Sequence, residues 1–332
     1  MAWLPPEIEI DENFRYLSFT RSGVTTKSLD LGMIMSGDTP LSVKKPRRST
    51  MEIDYMNGSI DISWQTGELH YEDRELTYVF TRFIPIWSTD SRDDINARCE
   101  SAIREITEWA VLSDDKQMYD SGAGTYSNVR LFSMKTAKDF TSDYWMLTIT
   151  LSFKAHPTLN YQPFPAAVYR PSTPINQGNT YDSRTFEFGP YYAYWTYDLF
   201  VSGNTELADP PIKHRELELP FADGTANRGR YYGDTVINYN CMLYVPNISN
   251  STIMNKKCQA RVEEVASWLF GITDSDEYEG IKMKGTTILH DSALGDFRLA
   301  RCTGLKVSKT TSPEYWMVLF EIEFTTYPKI VR

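Results

Sequence analysis

One segment occurs twice in this chain, and its double occurrence governs how the rest is read. Asp143–Pro157 is DYWMLTITLSFKAHP and Glu314–Pro328 is EYWMVLFEIEFTTYP, and the two align without a gap. Tyr144, Trp145 and Met146 recur as Tyr315, Trp316 and Met317, Phe153 recurs as Phe324, and Pro157 as Pro328. Both segments alternate. Trp145, Leu147, Ile149, Leu151 and Phe153 share one side, as do Trp316, Val318, Phe320, Ile322 and Phe324. Apolar residues at period two predict a strand with one buried face, and a proline ends it because it cannot donate to a ladder.

Other features recur in the same order. Ser36-Gly37-Asp38-Thr39 matches Ser202-Gly203-Asn204-Thr205, Asn57-Gly58 matches Asp223-Gly224, and Gly67 matches Gly233. Cys99, Ile103, Ile106 and Trp109 match Cys258, Val262, Val265 and Trp268. Matches that keep their order point to two diverged copies of one domain. A length of 332 residues suits that division, since domains run to about 100–150 residues. The expected boundaries are 1–160 for copy one, 161–182 for a linker rich in proline (Pro163, Pro165, Pro171, Pro174), and 183–332 for copy two.

In copy one, strands are expected at Leu17–Phe19, Leu29–Met35, Ser49–Tyr55, Ile60–Gln65, Glu75–Pro85 and Val129–Thr136. Asp93–Leu112 reads as the helix, capped by Ser91 or Asp93, with Cys99, Ala102, Ile103, Ile106 and Trp109 on one face. Ser113–Asn128 reads as a loop. Copy two repeats the order, with strands at Glu216–Phe221, Tyr231–Val245, Ala300–Val307 and Tyr315–Tyr327 and a helix at Ser251–Phe270. The fold class is therefore α+β and mainly β: two similar antiparallel sandwich or open-barrel domains, each with one packed helix.

Aromatic residues make up 14% of the chain, which suits β structure and broad contact surfaces. A net charge of −10 argues against a basic nucleic-acid binder, though not against a passage through which nucleic acid slides. Cys99, Cys241, Cys258 and Cys302 lack metal-site spacing and read as buried free thiols. Met1–Ile10 shows no secretion signal, and no apolar run is long enough to span a membrane.

His70, His156, His214 and His290 are scattered and form no metal motif. Asp274, Asp276, Glu277 and Gly280 only faintly resemble a calcium loop, and a solvated hairpin tip is the expectation there. The basic run Lys44–Arg48 is expected at a solvated edge or against a neighbouring subunit. Glu105, Glu108, Glu263 and Glu264 are placed on the polar faces of their helices. The run Tyr191–Tyr197 is read as core or interface packing, with stacking on a sugar as the sharper alternative. No acid, base and nucleophile assemble, so no catalytic, cofactor-binding or metal-binding residue is assigned and no enzyme is expected.

The order of motifs resembles the ring-forming domain of the distal tail proteins of long-tailed phages. The carrying residues are Phe19-Thr20-Arg21-Ser22-Gly23, then Asp30-Leu31-Gly32-Met33, then a basic, proline-containing run leading to a turn (Lys45–Gly58, and again Lys213–Gly224). A hairpin, one helix and a closing strand ending Phe153…Pro157 or Phe324…Pro328 complete it. The resemblance implies a virion protein of the tail tip, made in the host cytoplasm. It implies a ring that joins the tail tube to a hub or receptor-binding protein while DNA passes through the bore. It departs in one respect: the family's second domain is usually of a carbohydrate-binding or oligonucleotide-binding type, whereas here it looks like a second ring domain. The partner expected first is a homohexamer, and second a pseudo-sixfold trimer with a tube or hub role. The alternative function is a carbohydrate-binding module for host recognition.

Overall fold

The fold, taken from a computed structural model, is described for residues 5, 14–35, 41–52, 57–64, 68–111, 117–141, 143–161, 185–193, 197–202, 206–208, 210–218, 225–247 and 250–328. Most of the 161–182 linker, the Ser36–Thr39, Gly203–Thr205 and Asp223-Gly224 matches, Gly67 and Trp195 lie outside the described residues.

The first half contains β1 (Leu17–Arg21), β2 (Val24–Lys27), β3 (Met33–Met35), β4 (Thr50–Met51), β5 (Ile60–Asp61), β6 (Arg74–Pro85), α1 (Arg92–Val111), β7 (Met118–Asp120), β8 (Gly124–Tyr126), β9 (Arg130–Phe140), β10 (Tyr144–Ala155) and β11 (Leu159–Asn160). The second contains β12 (Phe186–Phe188), β13 (Tyr191–Tyr192), β14 (Phe200–Val201), β15 (Glu206–Ala208), β16 (Ile212–Glu218), β17 (Thr225–Tyr232), β18 (Thr235–Pro246), α2 (Ser251–Phe270), β19 (Ser275–Tyr278), β20 (Ile281–Lys284), β21 (Thr287–Asp291), β22 (Gly295–Thr311) and β23 (Tyr315–Thr326). The class is α+β and mainly β, with antiparallel pairing throughout the described sheets.

Both alternating segments are strands at the centre of a sheet. β10 lies between β6 and β9, and β23 lies between β18 and β22. The registers correspond. β10 pairs with β6 from Tyr144–Pro85 to Ala155–Arg74, and β23 pairs with β18 from Tyr315–Pro246 to Thr326–Thr235. One extra residue interrupts the other ladder in each half, Phe132 opposite Ser152 and Phe153, and Thr303 opposite Glu323 and Phe324. Such bulges add twist at a fixed place.

Buried polar contacts correspond as well. Tyr78 donates its hydroxyl proton to Asp120 Oδ2 at 2.9 Å, and Tyr239 donates to Asp291 Oδ2 at 2.7 Å. Trp109 Nε1 donates to the carbonyl of Thr26, and Trp268 Nε1 to that of Phe188. The halves differ in how the sheets connect. Besides the two-stranded β4-β5, the first has two larger sheets, β11-β8-β7-β1-β2 and β3-β6-β10-β9. Phe19 from one meets Phe153 from the other, with ring centroids 5.8 Å apart. In the second, the seventeen-residue β22 runs unbroken and joins β12, β13 and β21 to β18 and β23 in one sheet.

Helix α1 opens on a reciprocal cap. Ser91 Oγ accepts from the Asp94 N–H, and Asp94 Oδ2 accepts from the Ser91 N–H. It buries one stripe: Ile95, Cys99, Ala102, Ile106 and Ala110. Asn250 caps α2 through the Ile253 N–H. Helix α2 is buried on more than one side, and Asn255, Gln259 and Glu263 join its apolar stripe among the buried residues. The cause is the described part of residues 41–74. Leu69 belongs to the core of the second half, and Leu41, Val43, Trp64 and Tyr71 pack against it.

Two expectations change, and a third is met in part. Ser113–Asn128 is not all loop, because β7 and β8 lie within it. Their three residues each are held by Asp120, which takes a bidentate ion pair from Arg15 (2.9 and 2.6 Å) in addition to Tyr78. Leu29–Met35 is not one strand. Ser28–Leu31 forms a 3-10 turn that ends on Gly32 at φ 67°, and only Met33–Met35 is extended. The basic run divides: Lys45 and Arg47 are exposed, as at a solvated edge, whereas Lys44 and Arg48 reach the second half. Arg48 pairs with Asp61 at 2.9 Å and donates to the Cys302 carbonyl at 3.0 Å, while Lys44 reaches Ser267 Oγ.

All four cysteines are buried and free. Burial pushes the Cys258 and Cys302 thiols up to about 12 and raises those of Cys99 and Cys241. A thiol held so far above neutrality supplies almost no thiolate nucleophile. Ellman's reagent at pH 8 is expected to label none of them in the native protein and all four after unfolding in guanidinium. Rapid labelling of the native protein would refute the closed cores.

Candidate functional site

Two places combine buried charge or exposed aromatics with a defined shape. The first is the seam where Ser42, Lys44 and Arg74 meet α2. Arg74 sends Nη1 and Nη2 to Glu263 Oε1 and Oε2, both at 2.7 Å, and Nε to the Pro157 carbonyl at 2.6 Å. Gln259 donates to Glu263 Oε1 at 2.9 Å and to the Ser42 carbonyl at 2.6 Å, and accepts from the Ser42 N–H at 3.0 Å. Arg74 and Glu263 are 2% and 4% exposed, so the pair is out of water. This corrects the polar-face placement of Glu263. Periodicity puts it away from its own sheet, but the first half covers that side. Glu105, by contrast, is half-exposed and pairs with Arg82.

The seam continues through Arg301. Its Nη2 donates to Ser59 Oγ at 3.0 Å and to Asp234 Oδ2 at 3.2 Å, and its Nε lies 3.7 Å from Asp61. The Gly58 N–H donates to the Tyr232 carbonyl at 2.8 Å. Trp64 lies against Gly285, whose φ is 75° and where a Cβ would come within 1.9 Å of the indole nitrogen. Only glycine fits there. These groups neutralise one another and hold two parts of the chain together.

The second place is a groove of about 470 Å³ at the C-terminal end of α2, lined by Tyr161, Tyr191, Tyr197, Arg261, Glu264 and Trp268 among others. Tyr197 stacks on Trp268 with centroids 4.4 Å apart and planes 11° apart. Tyr191 stands nearly perpendicular to Tyr197, at 6.1 Å and 82°, and is 44% exposed. Arg261 is fixed by Glu264 Oε2 at 2.5 Å, the Tyr197 carbonyl at 3.1 Å and Asp198 Oδ2 at 3.6 Å. Burial raises the hydroxyls of Tyr161 and Tyr197 above the usual tyrosine range, with nearby negative charge adding to it.

The aromatic run of the sequence thus divides: Tyr197 packs, Tyr191 and Tyr192 are exposed, and residues 194–196 lie outside the described residues. Arg261 was not singled out in the sequence, and Glu264 was assigned only to a polar helix face. The available signal was their spacing, since 261, 264 and 268 share one helix face. Among the described residues no group of three or more His, Cys, Asp or Glu could hold a metal. Asp276, set aside as a calcium ligand, pairs with Arg298 at 2.6 Å. Burial would raise its carboxyl, but Arg298 and the Leu299 N–H outweigh that and lower it.

The described residues form a mainly β protein with a buried polar seam between residues of its first and second halves and an aromatic groove beside α2. No family model matches the sequence, and no curated protein matches it. Among solved structures the chain is similar to the SPP1 Dit protein, whose crystal structure is titled a paradigm of the hub adsorption apparatus in phages that infect Gram-positive bacteria. The two are 11% identical with a TM-score of 0.29, over 94% of this chain and 98% of that one. No residue here inherits a role from a likeness at that level.

Proposed function

We propose that this protein is a structural component of a phage tail tip. In this reading it forms a ring that joins the tail tube to a hub or receptor-binding protein, with DNA passing through the bore and no chemistry performed. The observation that carries the reading is the order of motifs in each half, from Phe19-Thr20-Arg21-Ser22-Gly23 to the closing strands at Phe153 and Phe324. The shared register of β6-β10-β9 and β18-β23-β22, down to the bulge residues Phe132 and Thr303, supports two copies of one ring domain.

A closed ring repeats one heterologous contact until the rotation closes. If both copies took equivalent places, three chains would supply a sixfold ring. The surfaces of the halves argue for six chains instead. Phe140 is 74% exposed on β9, beside a partly buried Trp145, whereas the corresponding positions hold Thr311 and a buried Trp316. Copies that make the same contact would keep the same surface. Mass photometry of the purified 38.3 kDa chain is expected to give particles of six copies. A stable trimer with both halves around one bore would overturn the six-chain choice, and a monomer at all concentrations would overturn the ring.

A further inference from the structure

We propose that the hairpin β16–β17 of one chain seats on helix α1 of the next chain, a contact that rests on the ring reading above. The two helices carry the argument. Aligned on Cys99 and Cys258, α1 and α2 present matching rows of residues, covered on one helix and bare on the other. On α2, Gln259, Ala260, Glu263 and Phe270 are buried. Ser42, Arg74 and Lys44 of the first half reach Gln259, Glu263 and Ser267 there. On α1 the same row is Glu100, Ser101, Arg104, Glu108 and Val111, and all five are exposed.

The cover for that row comes from the second half. The run Lys45–Gly58 of the first half matches Lys213–Gly224. The first run leads through the two-stranded β4–β5, which has a seat on the second half: the Asp61 N–H donates to Met283 Sδ, and Arg301 flanks the Asp61 carboxylate. The matching hairpin β16–β17 is also a two-stranded sheet, joined to no other among the described residues. At its base Lys213 pairs with Glu52 and the Tyr232 N–H donates to Asn57 Oδ1, while Ile212 is 52% exposed. Two strands alone are marginal in water, so this hairpin gains stability from a cover. Charge selects the helix. Strands β16 and β17 carry Lys213, Arg215, Arg228 and Arg230 against Glu216 and Glu218. Helix α1 carries five acidic residues against three arginines. Opposite charge of this kind fixes partner and register. The contact is not a second buried ion pair, since Arg104 stands where α2 has Glu263, and Thr235 where the first half has Arg74. It runs head to tail, and such a contact repeats until the ring closes, whatever the number of chains.

Two variants of the full chain test this by mass photometry. Ala97→Arg with Ser101→Arg blocks the helix row, and Ile212→Glu with Arg215→Glu reverses the charge of the hairpin. Ala97, Ser101 and Ile212 are exposed, so both variants are expected to fold. Each alone should give particles of one copy under conditions where the unaltered chain assembles. Mixed in equal amounts, they should give particles of two copies and nothing larger, because the intact hairpin of the first meets the intact helix of the second. That outcome also shows that both variants are folded. A variant that keeps the assembled mass of the unaltered chain would overturn the contact and leave the ring standing. A mixture that stays at one copy would overturn the contact as well. An unaltered chain that never assembles would overturn the ring, and this contact with it.

Discussion

Replacing Arg74 with alanine is expected to destabilise the protein by about 3–5 kcal/mol, the cost of leaving one member of a buried ion pair without its partner. Arg74 and Glu263 meet through two 2.7 Å hydrogen bonds, and both are nearly inaccessible. Removing the guanidinium leaves a carboxylate facing the Gln259 amide alone, and strips donors from the Pro157 carbonyl and Ser42 Oγ. Glu263→Gln should be costly in the same way, since it leaves the arginine charge buried. The double variant Arg74→Met with Glu263→Leu should recover most of the loss, because a packed apolar pair avoids the desolvation of two ions. A urea titration with all variants gives the coupling from the cycle. A loss below about 1 kcal/mol for Arg74→Ala would mean that the pair is open to water. The seam also predicts the form of the transition. With the seam intact the halves should unfold together; in Arg74→Ala the curve should separate into two steps, as two weakly coupled domains give.

The seam shows where sequence reading stops. The strands around Trp145 and Trp316 were legible because period-two burial is a local signal, and the helices because Cys99, Ile106, Cys258 and Val265 fall at helical spacing. Both signals concern an element and the single surface it faces. Glu263 faces a second surface, built from residues nearly two hundred positions earlier in the chain, and no local pattern reports that. The same holds for Asp120, whose burial depends on Arg15. β7 and β8 escaped notice because three residues carry no period. The groove was half legible. Its tyrosines were visible as a run, but Arg261 and Glu264 read as solvated helix charges until Tyr197 and Asp198 were folded against them.

The two repeated tryptophans should not behave alike, although the sequence gives them equal places. Trp316 is 7% exposed, sits in the core of the second half, and carries Lys309 Nζ 5.3 Å from its ring centre. Trp316→Ala is expected to cost about 3–5 kcal/mol, as for large buried aromatics, and to give insoluble protein. Trp145 lies at the rim of its core, part in water, against the exposed Phe140 at 6.3 Å and with Lys138 Nζ 5.7 Å from its ring centre. Its truncation should cost about half as much, because part of its apolar area gains nothing from folding. The paired positions across the hairpins differ as well. Trp145 stands opposite Phe140 on β9, and Trp316 opposite Thr311 on β22. Denaturation midpoints measured in dilute protein decide the matter. Equal losses for Trp145→Ala and Trp316→Ala would show that the first tryptophan is as buried as the second.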